Sequence, residues 1–210
     1  MRLIYVVDPM CAWCYGFQPQ LDALLNRMPS ATVEWVMGGL APDNTSPMTM
    51  EMRQTISAYW HQIEAKTDVE FNHDYWRINT PYRSTYQACR AVIAANTLIE
   101  GSADAMVKAI QTAYYQKAQN PSLDKTLIEC AKSIGLDDNL FAALMNSSEI
   151  QQQLTQHLHI AMQLGATGFP ALFYVNNANH ALPLTHGYCL ADELAQRLTL
   201  ILQREKIDAQ

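Results

Sequence analysis

The chain has 210 residues, 49% of them hydrophobic and 16% charged. That is enough to bury a sizeable core without disulfide or metal staples, and too apolar for a disordered or collagen-like polymer. With 14 Lys+Arg against 20 Asp+Glu, a formal charge of −6 and no basic run, the electrostatic footprint of a nucleic-acid groove or an acidic lipid surface is missing.

The opening Leu3-Ile4-Tyr5-Val6-Val7 stops at Asp8-Pro9. It is too short for the apolar core of a signal peptide and reads as a buried strand. No apolar run approaches the ~18 residues of a membrane span, so no membrane partner is expected and the expected compartment is the cytoplasm. From Trp13 or Cys14 to Met28, the residues Phe17, Leu21, Leu24, Leu25 and Met28 keep helical spacing up to Pro29, with Pro19 expected to kink the helix. Thr32 to Met37 reads as a second strand, ended by Gly38-Gly39. Strand, helix, strand is a βαβ unit, which makes the two strands parallel.

Between about Pro47 and Gly165 the pattern changes to amphipathic helices. Met52, Ile56, Tyr59, Trp60 and Ile63 form one stripe, with the methionines of Met48-Thr49-Met50-Glu51-Met52 expected at a helix start facing the core. Ser84-Thr85-Tyr86-Gln87 has the pattern of a capping box for a helix that closes at Gly101. Further helices are predicted over 105–119, 123–134, around Phe141 and over 149–164. The β pattern returns with Ala171 to Val175, a turn at Asn176 to Asn179 and a strand over 181–185, and Leu190, Leu194, Leu198, Ile201 and Leu202 mark a last helix. The expected order is βαβ, helical block, ββα: an α/β chain with 47–165 as an all-helical insertion between the second and third strands, carried by 1–46 and 166–210.

Of the 5 cysteines, two stand as Cys11-Ala12-Trp13-Cys14 between the first strand and the first helix. Three residues apart on a helix, they share one side, within reach of a bridge. The positive N-terminal end of the helix favours Cys11 as the attacking thiolate, leaving Cys14, shielded in the turn, to resolve the mixed disulfide. A metal is not expected, since no second CxxC or HxxxH accompanies the pair and His157-Leu158-His159 has the wrong spacing for one helix face.

Asp8-Pro9-Met10-Cys11-Ala12-Trp13-Cys14-Tyr15-Gly16-Phe17, with Gly168-Phe169-Pro170 far downstream, resembles the DsbA-like branch of the thioredoxin superfamily, and within it the cytoplasmic FrnE-like members. The resemblance implies a thioredoxin fold interrupted by a helical insertion, a dithiol–disulfide oxidoreductase activity without a bound cofactor, and Pro170 as a cis-proline facing the cysteines. Phe169 would then present its backbone to an extended substrate; the family more often has a smaller residue there. Trp13, Tyr15 and Phe169 are expected to line a substrate site, with Phe17 in the core. Asp8 is either a proton relay to Cys14 or a helix cap. Cys89 and Cys130 lie on apolar stripes and read as core, whereas Cys189, opening the last helix, is a candidate third reactive thiol. His186 and the other histidines receive no role.

The expected partners are protein or peptide thiols and disulfides, or glutathione as a co-substrate. A glutathione-dependent transferase or isomerase of the kappa-class type is the second reading, and a non-catalytic polypeptide-binding or chaperone module the third.

Overall fold

The computed structural model describes residues 1–208. Its sheet is built from β1 (Arg2–Val7), β2 (Thr32–Met37), β3 (Ala171–Val175) and β4 (Ala181–His186), in the order β2-β1-β3-β4. β1 pairs parallel with β2 and antiparallel with β3, and β3 pairs antiparallel with β4. The crossover between β1 and β2 is α1 (Ala12–Asn26), which continues through Pro19.

Alternation along β1 fixes the two faces of the sheet. Leu3, Tyr5 and Val7 enter a large core with Phe17, Leu21 and Leu24 of α1 and Leu194 and Leu198 of α9 (Ala191–Asp208). Ile4 and Val6 enter a smaller one with Phe173, Val175 and Ala161.

Between β2 and β3 the chain is helical: α2 (Met50–Lys66), α3 (Tyr75–Ile78), α4 (Tyr86–Leu98), α5 (Ala103–Gln111), α6 (Asp124–Ser133), α7 (Asp138–Met145) and α8 (Ser148–Gln163). α4 is buried along most of its length, and Ala88, Ala91, Ala94 and Ala95 let its neighbours approach closely. Ala161 of α8 packs on the smaller core face, and His157 Nδ1 accepts the Met37 N–H at 3.0 Å, satisfying the end of an edge strand. The larger apolar cluster runs from β1 and α1 through Trp60 and α4 to Phe141, so one core joins residues of 47–165 to the sheet.

Three local expectations are corrected. The helix predicted over 105–119 is α5 followed by a π-helical turn over Thr112–Gln116, which turns Tyr114 and Tyr115 inward. The Ser84-Thr85 pair does not cap α4, because the Thr85 hydroxyl is spent on Asp8 and the Ala41 backbone and the Ser84 hydroxyl on the Asn44 N–H. α2 does start at the methionines, capped by Thr49, but Met50 and Met52 are exposed; the core face of that helix is held by Trp60 and Ile63.

Candidate active site

The turn after β1 is closed by the Cys11 N–H on the Asp8 carbonyl at 3.0 Å, which makes Cys11 the N-cap residue of α1. No side-chain hydrogen bond caps this end and no acidic residue lies in the first turn, so the Cys11 side chain is the group set at the helix's positive end. Cys14, one turn on, is fully buried, and both thiols are free. Burial pushes the Cys14 thiol well up, and the neighbouring Cys11 sulfur adds to the effect.

The Phe169–Pro170 peptide bond is cis. It brings the Phe169 carbonyl to 3.7 Å from the Cys11 sulfur, which donates to it. The Phe169 ring lies against Gly38 at the end of β2, where any Cβ would fall inside the ring. Gly38, read in the sequence only as part of a strand end, is therefore also a seat for Phe169.

A cavity of about 270 Å³ opens beside Cys11, walled by Met10, Trp13, Phe169 and, from the insertion, Trp60, Tyr82 and Arg83. Trp13 is half-buried against Tyr188 at 6.1 Å, with the Lys66 ammonium 5.5 Å from its ring. The structure thus brings together Cys11, Cys14, Trp13, Phe169 and Pro170.

It does not bring Tyr15 to them. Two residues beyond Trp13, Tyr15 points to the far side of α1, buried and stacked on Tyr115 at 4.6 Å. Its hydroxyl donates to the Glu70 carbonyl and accepts from Gln116, each at 3.1 Å. There it lines a second, larger groove of about 830 Å³. Phe17 is core, as expected.

Asp8 is fully buried, and its carboxylate accepts from the Met10 N–H at 2.8 Å, the Leu40 N–H at 2.7 Å, the Thr85 hydroxyl at 2.6 Å and the Cys89 thiol at 3.5 Å. It thus ties the loops after β1 and β2 to α4, and it does not cap α1, whose N-cap residue is Cys11. Burial raises its pKa above the ordinary value, against the lowering effect of these hydrogen bonds.

Cys89 and Cys130 are buried, and burial pushes the Cys130 thiol up to about 11. Cys189 is also buried; burial and a hydrogen bond to Glu193 at 3.2 Å hold its thiol protonated. His186 is exposed and packs edge-on against Phe173 at 5.4 Å.

One group among the described residues gathers donor atoms within 4.8 Å of one another: His61, Glu64 and His73. The imidazole rings are stacked 12° from parallel, so their nitrogen lone pairs run alongside rather than toward a common point. Glu64 is engaged by the Phe71 N–H at 2.9 Å and by both histidines, and it clips the chain after α2 back onto that helix.

Sequence reasoning missed the insertion's contribution to the pocket. The signal was the aromatic density of Tyr59, Trp60, Phe71, Tyr75, Trp76 and Tyr82.

Residues 2–199 match the family model of the DSBA-like thioredoxin domain. The chain belongs to the DSBA-like thioredoxin domain family. Among solved structures, it is similar to a candidate protein disulfide isomerase from Nitrosomonas europaea, with 28% identity over 97% of this chain and 98% of that one and a TM-score of 0.86. It is also similar to the cytosolic disulfide reductase DsbM from Pseudomonas aeruginosa, with 25% identity over 98% and 99% of the two chains and a TM-score of 0.79. The same reductase with GSH matches at a TM-score of 0.77, with 25% identity over 98% and 100%. No curated protein matches the chain. The thioredoxin fold with its helical insertion and the class of DsbA-like oxidoreductase expected from the sequence both stand on this family and these relatives. Among the described residues no helix is long and apolar enough to cross a membrane.

Proposed function

We propose that the protein exchanges thiols and disulfides through Cys11 and Cys14, with Cys11 attacking and Cys14 resolving, and that it works in the cytoplasm on small or peptide disulfides. The observation that carries this reading is the placement of the pair: both thiols are buried, but Cys11, at the N-terminal end of α1, lines a cavity, and Cys14 lies one turn behind it without reaching that cavity. Such a pair attacks with the outer sulfur and closes with the inner one. Trp13, Phe169 and Pro170 would hold the substrate; Asp8 would act by fixing the loops around Cys11, not as a cap. The cytoplasmic assignment and glutathione as a partner draw support from the cytosolic reductase relative and its GSH-bound form.

Cys14 argues against a glutathione-dependent transferase, because a resolving thiol expels glutathione from any mixed disulfide. A purely polypeptide-binding module would leave the buried dithiol without use.

The test is a single turnover of reduced protein with a disulfide, followed by intact mass. Wild type should end as an internal Cys11–Cys14 disulfide and Cys14→Ser as a stable mixed disulfide on Cys11. Adducts distributed over Cys89, Cys130 or Cys189 would refute the assignment.

A further inference from the structure

The pocket beside Cys11 has one charged residue on its wall, Arg83, and no carboxylate. Arg83 is half-buried and has neither a hydrogen-bond nor an ion-pair partner among the described residues. In a chain of net charge −6, an unpaired guanidinium on the wall of a cavity beside Cys11 is the complement of an anion that accepts hydrogen bonds.

We propose that Arg83 binds a substrate carboxylate in this pocket, so that the Cys11–Cys14 pair selects small, carboxylate-bearing disulfides over neutral or cationic ones. The proposal rests on the oxidoreductase reading and names its substrate class. A cavity of about 270 Å³ suits a small molecule or the end of a peptide rather than a folded chain. Arginine fits the role because its planar fork pairs with both carboxylate oxygens.

With the carboxylate held, the Cys11 thiolate attacks the near sulfur of the substrate. The Cys11–substrate S–S bond forms as the substrate's own S–S bond breaks, and the departing thiolate takes up the proton that Cys14 gives up, directly or through water. The Cys14 thiolate so formed attacks the Cys11 sulfur, closing the internal disulfide and releasing the second substrate half as a thiolate, which takes a proton from water. The dithiol gives up two electrons and the substrate disulfide takes them, so a single turnover needs no further reductant.

The experiment measures single-turnover oxidation of the reduced protein by glutathione disulfide (anionic), 2-hydroxyethyl disulfide (neutral) and cystamine (cationic), in wild type, Arg83→Gln and Arg83→Lys. Each variant is compared with wild type on the same oxidant, which cancels the intrinsic reactivities. Arg83→Gln should slow glutathione disulfide about tenfold, leave 2-hydroxyethyl disulfide within about twofold and speed cystamine, with Arg83→Lys intermediate on glutathione disulfide. In wild type, added salt should slow the glutathione disulfide reaction and leave the neutral one flat, a readout independent of any variant's folding. Equal changes on all three oxidants, or none on glutathione disulfide, would overturn the assignment of Arg83 while leaving the oxidoreductase reading intact. A wild-type dithiol that none of the three oxidises would overturn both.

Discussion

The two cavities flanking α1 differ in the opposite sense to their size. The larger, about 830 Å³, is lined by Asp22, Asp68, Glu70 and Lys108 and by no cysteine; the smaller, about 270 Å³, holds Cys11, apolar walls and Arg83. Their cations make the contrast sharper. Lys108 is bonded to Asp22 and Asp104, both at 3.0 Å, and these bonds outweigh its burial and raise its pKa, whereas Arg83 faces no carboxylate. A cation already neutralised by its own fold holds helices together, and one left open beside a nucleophile is available to a ligand. Volume alone points to the groove that has no cysteine.

The comparison is tested most severely by removing the sulfur. Cys11→Ser should abolish disulfide exchange, with a loss of about a thousandfold or more in rate, because a hydroxyl is not deprotonated at neutral pH and does not attack a disulfide. A stopped-flow trace showing residual exchange through another cysteine would break the assignment.

Next in size is the seat of Phe169. Gly38→Ala puts a Cβ into the Phe169 ring and should cost about 1–3 kcal/mol in urea unfolding, together with a clear loss of exchange rate as the wall beside Cys11 shifts. Normal stability and rate would mean that the ring relaxes freely and does not shape the pocket.

Asp8→Asn should cost about 1–3 kcal/mol, since an amide cannot accept from all four donors now served. The sign of its pH dependence follows from burial, which raises the folded carboxyl above its ordinary 3.8. Protonated Asp8 contributes its full stability below that value, and the contribution falls as pH rises through the raised folded pKa. The stability gap between wild type and Asp8→Asn should therefore be widest in acid and narrow toward neutrality; a gap widening with pH would contradict the desolvation argument.

The smallest effect belongs to the larger groove. Lys108→Gln should leave exchange rates within about twofold and reduce stability by about 1 kcal/mol or less, because its ion pairs are more than a third exposed to solvent. A marked loss of activity would assign that groove a role in the reaction.

Much of this was legible in the sequence. Short apolar, β-rich runs ended by turn residues marked β1, β2 and the β3–β4 hairpin, helical spacing marked α1, and the Cys11–Cys14 spacing marked the pair, because these signals are local. Arg83 was not legible, since it joins Cys11 in lining the cavity only through the tertiary packing of the insertion. Thr85 misled for the same reason: its local cap pattern loses to the buried Asp8 carboxylate, which has no water to satisfy it. Tyr15 is two residues beyond Trp13 yet faces the other groove, because two residues along a helix turn a side chain about 200° away.

The central claim, that Cys11 and Cys14 form a working redox pair, is tested most directly by equilibrating the protein in a series of glutathione buffers and following Trp13 fluorescence, with Cys14→Ser as the control. The account predicts a two-electron transition in wild type that the control lacks, with a potential near or below about −250 mV for a reductant. Stoichiometric glutathione binding with no internal disulfide at any ratio would contradict it.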